Sequence, residues 1–316
     1  MVVLSVHLIT YNNEKHIEET LQSILKQKVD FNYEIVVGDD CSMDKTLEII
    51  NTYANIYPNI FKILKNDKQL GILGNFKCTL DRCRGKYVFD IAGDDLLKTE
   101  DALQKMVSVL QSDPSLGFVY SGFDRLEDHN NKITPFKDKD VFSISKDEFK
   151  ISVLYGKANP ITLCYNKTHL YEYVDFDTYL KMGLTIEDHP IFVDLVMQTD
   201  FIRIKESLHI YRAHGNSYSH KKDFKELIFQ KQEIKKLFDY FSNKYHFSKQ
   251  LIDEYSENHN KELLFLAGYF KNKTLGKETF PKINSKSPHD FIHYYASQYQ
   301  WIRKLISLRK RILRFK

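Results

Sequence analysis

The apolar positions of the first 122 residues alternate between two periods. Val2–Ile9, Glu34–Gly38, Phe61–Lys65, Lys86–Ala92 and Leu116–Gly122 are short runs dense in apolar residues, and each predicts a buried strand. Helical spacing fills the gaps. Glu14–Gln27 places Ile17, Leu21, Ile24 and Leu25 on one face, and Asp44–Ala54 does the same with Leu47, Ile50 and Ala54. Ile72–Cys83 and Ala102–Leu110 complete the set, the latter closed by an Asp113-Pro114 turn. Strand and helix in strict alternation predict an α/β fold with a doubly wound, mostly parallel sheet.

Beyond residue 122 the pattern loosens. Asp124–Asp140 is polar and turn-rich and predicts a loop. Residues 141–211 are mixed, with a short helix and strands at Ile161–Tyr165, Phe201–Lys205 and Leu208–Tyr211. From Asp223 onward the spacing is helical and polar, with breaks near Tyr245–Phe247, Asn272–Gly276 and Pro281–Pro288. The expected organisation is a body over residues 1–220, divided near residue 122, followed by a helical region over 221–316.

Short polar segments stand at the ends of three predicted strands. They are Thr10-Tyr11-Asn12-Asn13-Glu14, Gly38-Asp39-Asp40-Cys41-Ser42 and Gly93-Asp94-Asp95. Parallel strands deliver their carboxyl ends to one edge, where open α/β sheets bind ligands. Adjacent carboxylates at such an edge repel unless a cation attends them, and hard oxygen ligands suit Mg²⁺ or Mn²⁺. Further along, Glu187-Asp188 opens a helix at His189-Pro190. Each segment alone is also explained by helix capping. Their joint order is what carries chemistry.

Composition narrows the class. The chain has 316 residues, 28% charged and 42% hydrophobic, as expected of a soluble protein with a sizeable core. It contains no run of about 18 apolar residues, and its start resembles a core strand rather than a signal peptide. Four cysteines without paired spacing suit free thiols in a reducing cytosol. Net charge is +4, but residues 291–316 carry seven Lys/Arg and no acid, leaving 39 bases against 42 acids before them. A near-neutral body argues against a nucleic-acid groove.

In this order, the segments make the chain resemble a family 2 glycosyltransferase of the A-type fold, from the bacterial surface-polysaccharide branch. The matching stretches are Leu4–Asn12, Glu34–Thr46, Gly71–Phe76, Arg84–Asp95, Glu187-Asp188 and Tyr211–Ser217, so the likeness spans residues 1–220. The resemblance implies that Thr10 and Tyr11 line the nucleotide base pocket, and that Asp40 pairs with the uracil edge. Asn75 would lie near the ribose or donor sugar, Asp94 would contact the ribose or sugar, and Asp95 would bind Mn²⁺ or Mg²⁺. His214 would be a further metal or diphosphate ligand. Asp188 would be the general base, with Glu187 orienting it or touching the acceptor. The family's metal motif often has one more acid, at the position of Ala92 here.

The implied reaction is inverting transfer from a UDP-sugar to a growing glycan, lipid-linked. A nucleotidyltransferase is the first rival, but Thr10–Glu14 lacks the Gly-rich basic loop of that class. A non-catalytic sugar-nucleotide binder is the second. The tail adds one expectation. On a helical wheel Trp301, Leu305, Leu308, Ile312 and Phe315 share a face, and basic residues occupy most of the rest. Segment 299–316 is therefore expected to reach an anionic membrane, placing a cytoplasmic enzyme peripherally on its inner face. Packing on the body or on a second subunit is the competing account, and homo-oligomerisation is left open.

Overall fold

The computed structural model describes residues 1–135, 145–158, 161–214, 223–299 and 301–302. The chain divides into two compact units, Met1–Ser217 and Tyr218–Lys316.

In the first unit, β1 (Leu4–Thr10), β2 (Tyr33–Asp39), β3 (Phe61–Lys65) and β4 (Tyr87–Ala92) pair in parallel in the order β3-β2-β1-β4. Helices α1 (Ile17–Leu25), α2 (Thr46–Ile56) and α3 (Gly71–Leu80) make the crossovers. Side chains on one sheet face (Leu4, Val6, Leu8, Ile35, Val37, Phe89 and Ile91) join Ile17, Leu21 and Ile24 of α1 in a single apolar core. Strict alternation along each strand leaves the intervening positions, among them Ser5, His7 and Asp90, for the opposite face.

The rest of the sheet is mixed. After β5 (Leu96–Leu97) and α4 (Ala102–Ser112) comes β6 (Leu116–Glu127), and then β7 (Lys132–Thr134) turns back on it. Helix α5 (Lys146–Leu154) leads on to β8 (Thr162–Asn166), which slots antiparallel between β4 and β6. Then α6 (Lys167–Tyr173), α7 (Phe176–Met182) and α8 (Asp188–Gln198) lead into β9 (Asp200–Ala213). β9 runs parallel to β6 and antiparallel to β5. Among the described residues the order is β3-β2-β1-β4-β8-β6-β9-β5, with β7 beside β6.

The α/β architecture is as expected, and the parallel character holds for its first four strands. Two local expectations are corrected. Part of the loop expected from Asp124 is strand: β6 continues to Glu127, with Asp124 buried against Lys98 at 2.8 Å. Phe201–Lys205 and Leu208–Tyr211 are one strand, interrupted in register rather than broken. The β6–β9 ladder pairs Ser121 with Ile204, Gly122 with Ser207 and Phe123 with His209, so β9 carries extra residues at a bulge.

The second unit is helical. α9 (Phe224–Lys244), α10 (Lys249–Phe270), α11 (Lys273–Thr279) and α12 (Pro288–Gln298) enclose Leu237, Phe238, Phe241, Tyr255, Leu264, Ala267 and Ile283. The rings of Phe238 and Tyr255 stack at 3.6 Å. No described helix is long and apolar enough to cross a membrane. Of the basic segment 299–316, only Tyr299, Trp301 and Ile302 fall among the described residues.

Candidate functional site

The carboxyl ends of β1, β2 and β4 are joined by their own loops. The Asp40 amide donates to the Thr10 carbonyl at 2.9 Å, and the Gly93 amide donates to the Ile9 carbonyl at 3.0 Å. Gly93 is required by proximity, because a Cβ there would lie 2.4 Å from Thr10 Oγ1. Asn12 and Cys41, both at positive φ, turn the first two loops toward each other. The Asn12 side chain then accepts from the Met43 amide at 2.8 Å, and its own amide donates to Ser42 Oγ at 2.9 Å. The three segments singled out in the sequence thus share one edge.

Within that edge Tyr11 is 43% exposed and offers an open ring, while Thr10 is buried and accepts from Asn13. Asp39 holds Ser42 through both its amide and its hydroxyl. Asp40 is buried and accepts from the amides of Leu70 and Gly71, at 2.8 and 3.0 Å, and from Asn66 Nδ2 at 3.0 Å. A carboxylate has about four acceptor positions, so these three donors leave one. Asn75 is enclosed rather than open to the edge. Its amide bridges the Gly38 carbonyl and Asn66, the same Asn66 that serves Asp40.

Asp94 and Asp95 face opposite ways. Asp95 is buried; its two oxygens accept from His209 Nε2 at 3.0 Å and from the Arg212 amide at 2.9 Å. Burial pushes its carboxyl above the usual range, against the opposing pull of His209. Pairing of β5 with β9 at Leu96–Ile210 and Leu97–His209 brings these partners alongside. Asp94 points toward the open side and contacts His214 Nε2 at 2.8 Å, which raises the pKa of that histidine. The Arg212 guanidinium spans the same corner. It donates to the Asp94 carbonyl at 2.9 Å, to Asp128 at 3.2 Å and to Glu19. The ring of His16, just ahead of α1, lies 5.3 Å from that of His214.

Among the described residues no group of three or more His, Cys, Asp or Glu is arranged to hold a metal ion. Asp94 and His214 make a set of two. Such a set fits Mg²⁺ or Mn²⁺, which are commonly held by one or two carboxylates together with water and substrate phosphate oxygens.

The Glu187-Asp188 pair opens α8 and reaches the β4 face that carries Asp90. Asp188 accepts from the His189 amide at 2.7 Å. Burial, then the negative charges of Asp188 and Asp90, hold the Glu187 carboxyl well above the ordinary glutamate range. The Glu187 carboxyl therefore holds its proton to higher pH than an ordinary glutamate. Asp90 pairs with His7, Nδ1 to Oδ1 at 2.7 Å, while His7 Nε2 lies 3.0 Å from the Phe76 carbonyl. His7, Asp90, Asn66, Glu19, Asp128, His16, His209 and Arg212 were not assigned from the sequence. His7, Asp90 and Arg212 lie within matched segments, and that was the one signal they carried.

The raised Glu187 pKa has a stability sign. The folded chain keeps this proton over a range where the unfolded chain, near 4.5, has released it. Stability therefore falls as pH rises from that value toward the folded pKa. Glu187→Gln removes the penalty. Its melting temperature is expected to match the parent in acid and to exceed it by about 2–4 °C in mild alkali. Thermal melts across pH check this, and equal values in alkali refute it.

The sheet, its loop edge and the following helices define the A-type glycosyltransferase fold. Residues 5–166, just over half of the chain, match the model of glycosyl transferase family 2, and the chain belongs to that family. It is 26% identical to Escherichia coli chondroitin synthase over 186 residues, covering 57% of this chain and 26% of the synthase. Mycobacterial relatives are 35% identical over 111 residues, and the chain spans about a third of their length. Two solved structures share the fold. Staphylococcus aureus TarS 1–349 in complex with UDP gives a TM-score of 0.55 at 17% identity, covering 98% of this chain and 92% of that one. The mannosyltransferase PcManGT from Pyrobaculum calidifontis, in complex with GDP-Man and Mn²⁺, gives 0.57 at 15% identity, covering 98% and 84%.

Proposed function

We propose that this chain transfers a sugar, with inversion, from a UDP-sugar to a hydroxyl of a growing, lipid-linked glycan. The observation that carries this reading is the Asp94–His214 contact, set at the edge where the Thr10, Asp40 and Gly93 loops meet. The nucleotides bound by TarS and PcManGT support a nucleoside-diphosphate donor.

In this reading Tyr11 stacks on the base, which needs only a flat π-face. The remaining acceptor position of Asp40 takes the uracil N–H. Asn75 acts behind Asp40 through Asn66. The expected metal part moves from Asp95 to its neighbour Asp94. Asp94 and His214 would hold the Mn²⁺ or Mg²⁺, and Asp95 fixes β9 beneath them. An ion bound there would offset the charge of the departing nucleoside diphosphate. The acceptor oxygen bonds to the anomeric carbon as the bond from that carbon to the UDP oxygen breaks, and the electron pair leaves with the diphosphate. Asp188 takes the acceptor proton as general base. Glu187, whose raised pKa makes it the weaker proton acceptor, orients the acceptor or Asp188.

Thermal shift with UDP, GDP, dTDP and CMP, each with and without Mn²⁺, tests the donor assignment. UDP with Mn²⁺ is expected to raise the melting temperature by several degrees, because saturation at a hundred times Kd stabilises by about 2.7 kcal/mol. A response to GDP alone would replace the uracil assignment of Asp40. Silence toward every nucleotide would overturn the transferase reading.

A further inference from the structure

The carboxylate of Asp40 is held by more than its own loop. Its Oδ1 takes two donors, Asn66 Nδ2 at 3.0 Å and the Leu70 amide at 2.8 Å, while its Oδ2 takes one, the Gly71 amide at 3.0 Å. With about two acceptor positions on each oxygen, the open position belongs to Oδ2. Asn66 follows β3 directly, and its main-chain amide donates to the Asp39 carbonyl at 3.0 Å. Its side chain is one link in a relay. Asn75 Nδ2 donates to the Gly38 carbonyl at 2.9 Å, and Asn75 Oδ1 accepts from Asn66 Nδ2 at 3.0 Å. Each amide has one workable orientation. Gly38 offers a carbonyl, so Asn75 must turn its nitrogen there and its oxygen toward Asn66. Asn66 then spends both Nδ2 hydrogens, one on Asn75 and one on Asp40. A main-chain carbonyl of β2 thereby fixes the rotation of the Asp40 carboxylate. Asp40, Asn66 and Asn75 are all buried. Helix α3 comes near enough to supply Asn75 because residue 38 is glycine: a Cβ there would lie 1.8 Å from Thr79 Oγ1 and 2.8 Å from Asn75 Oδ1.

We propose that Asn66 is the specificity-determining residue of the base site, a positioning residue that acts through Asp40 and is itself held by Asn75. The assignment rests on the donor reading above and extends it to the choice of base. A locked acceptor on Oδ2 suits a base whose edge carries a ring N–H between two carbonyls, as uracil does. Cytosine presents a bare ring nitrogen at that place, and two acceptors facing each other leave both unpaired. Its neighbouring amine is a donor, but meeting it requires the carboxylate to turn. Two hydrogen bonds on Oδ1 oppose that turn, and Asn66 supplies one of them. Without Asn66 the carboxylate gains freedom, the match to a ring N–H weakens, and the penalty against cytosine shrinks. A relay that merely filled space would weaken the binding of every nucleotide alike.

Calorimetric titration of the full chain with UDP and with CDP, both in the presence of Mn²⁺, tests this. The parent is expected to prefer UDP by about a hundredfold. Asn66→Ala should cut that preference about tenfold, by weakening UDP and not CDP. Asn75→Ala, one link further from the base, should move the ratio the same way by less. Asn66→Ser keeps one donor and should retain part of the preference, and it serves if Asn66→Ala does not fold. Equal weakening of UDP and CDP in the variants would reduce the relay to packing and overturn the proposal. So would a folded Asn66→Ala chain that keeps the parental preference, or a parent that binds both nucleotides alike. In each of those outcomes UDP still binds and the donor reading stands. Silence of the parent toward every nucleotide would remove both.

Discussion

Asp188→Asn is expected to lower kcat for sugar transfer by about a thousandfold, within the range that general-base catalysis supplies, while nucleotide affinity stays within about twofold. The substitution keeps the shape of the side chain and its place at the start of α8, where it accepts from the His189 amide. It removes only the ability to take a proton. Glu187 is a poor substitute, because burial and the neighbouring charges of Asp188 and Asp90 raise its pKa. With Asp188 neutralised, one of those charges is gone, and part of the Glu187 proton affinity goes with it. A small residual rate that rises with pH is therefore the expected signature of Glu187 taking over poorly. Single-turnover transfer from UDP-sugar, measured beside UDP titration, separates the two effects. Loss of UDP affinity equal to the loss of rate would make Asp188 a donor-site residue and sink the assignment. A protein with no transfer to lose would be a binder.

The second large effect concerns the adjacent aspartates. Asp95→Ala is expected to lower the melting temperature by roughly 6–12 °C. It strips the partner from buried His209 and from the Arg212 amide, and leaving such groups unpaired costs about 3 kcal/mol or more. Asp94→Ala should leave the melting temperature within about 2 °C yet abolish the Mn²⁺-dependent part of the UDP response. Its carboxylate is only partly buried and contacts the side chain of His214. Calorimetry on both variants with UDP and Mn²⁺ decides it. If Asp95→Ala stays stable but loses the Mn²⁺ response, the ion belongs to Asp95, and the inward role assigned to that residue fails.

Much of this was legible in the chain itself. The strands β1, β2 and β4 stand out because most of their positions are buried, and the segments at their ends are conspicuous by contrast. β6 was cut short for the opposite reason. From Gly122 to Glu127 it alternates buried and half-buried positions, but a buried position is filled by Asp124, whose partner Lys98 is distant in sequence. The insertion of β8 between β4 and β6 is a matter of pairing, which local pattern does not encode. The same limit applies at the site. Asp94 and Asp95 are adjacent and chemically identical, and what separates them is β9 lying alongside. His7 sits in an apolar strand and looked like core, and Asp90 ended no motif. Their pairing became visible only with β1 and β4 side by side.

The bulge in β9 sets a phase. Upstream of it the strand answers β6 residue for residue from Phe118–Phe201 to Ser121–Ile204; downstream, beyond Gly122–Ser207, the match resumes at Phe123–His209. Along a strand each added or removed residue exchanges the two faces. The extra residues therefore act as a counter, deciding that His209 meets Asp95, that the Arg212 amide falls beside the same carboxylate, and that His214 arrives at Asp94. Insertions or deletions between Lys205 and Leu208 would be read out by parity: an odd change turns His209 and Arg212 away from Asp95, whereas a change of two restores the faces and shifts the strand only along its length. The least conspicuous stretch of β9 thus determines the alignment of the candidate edge.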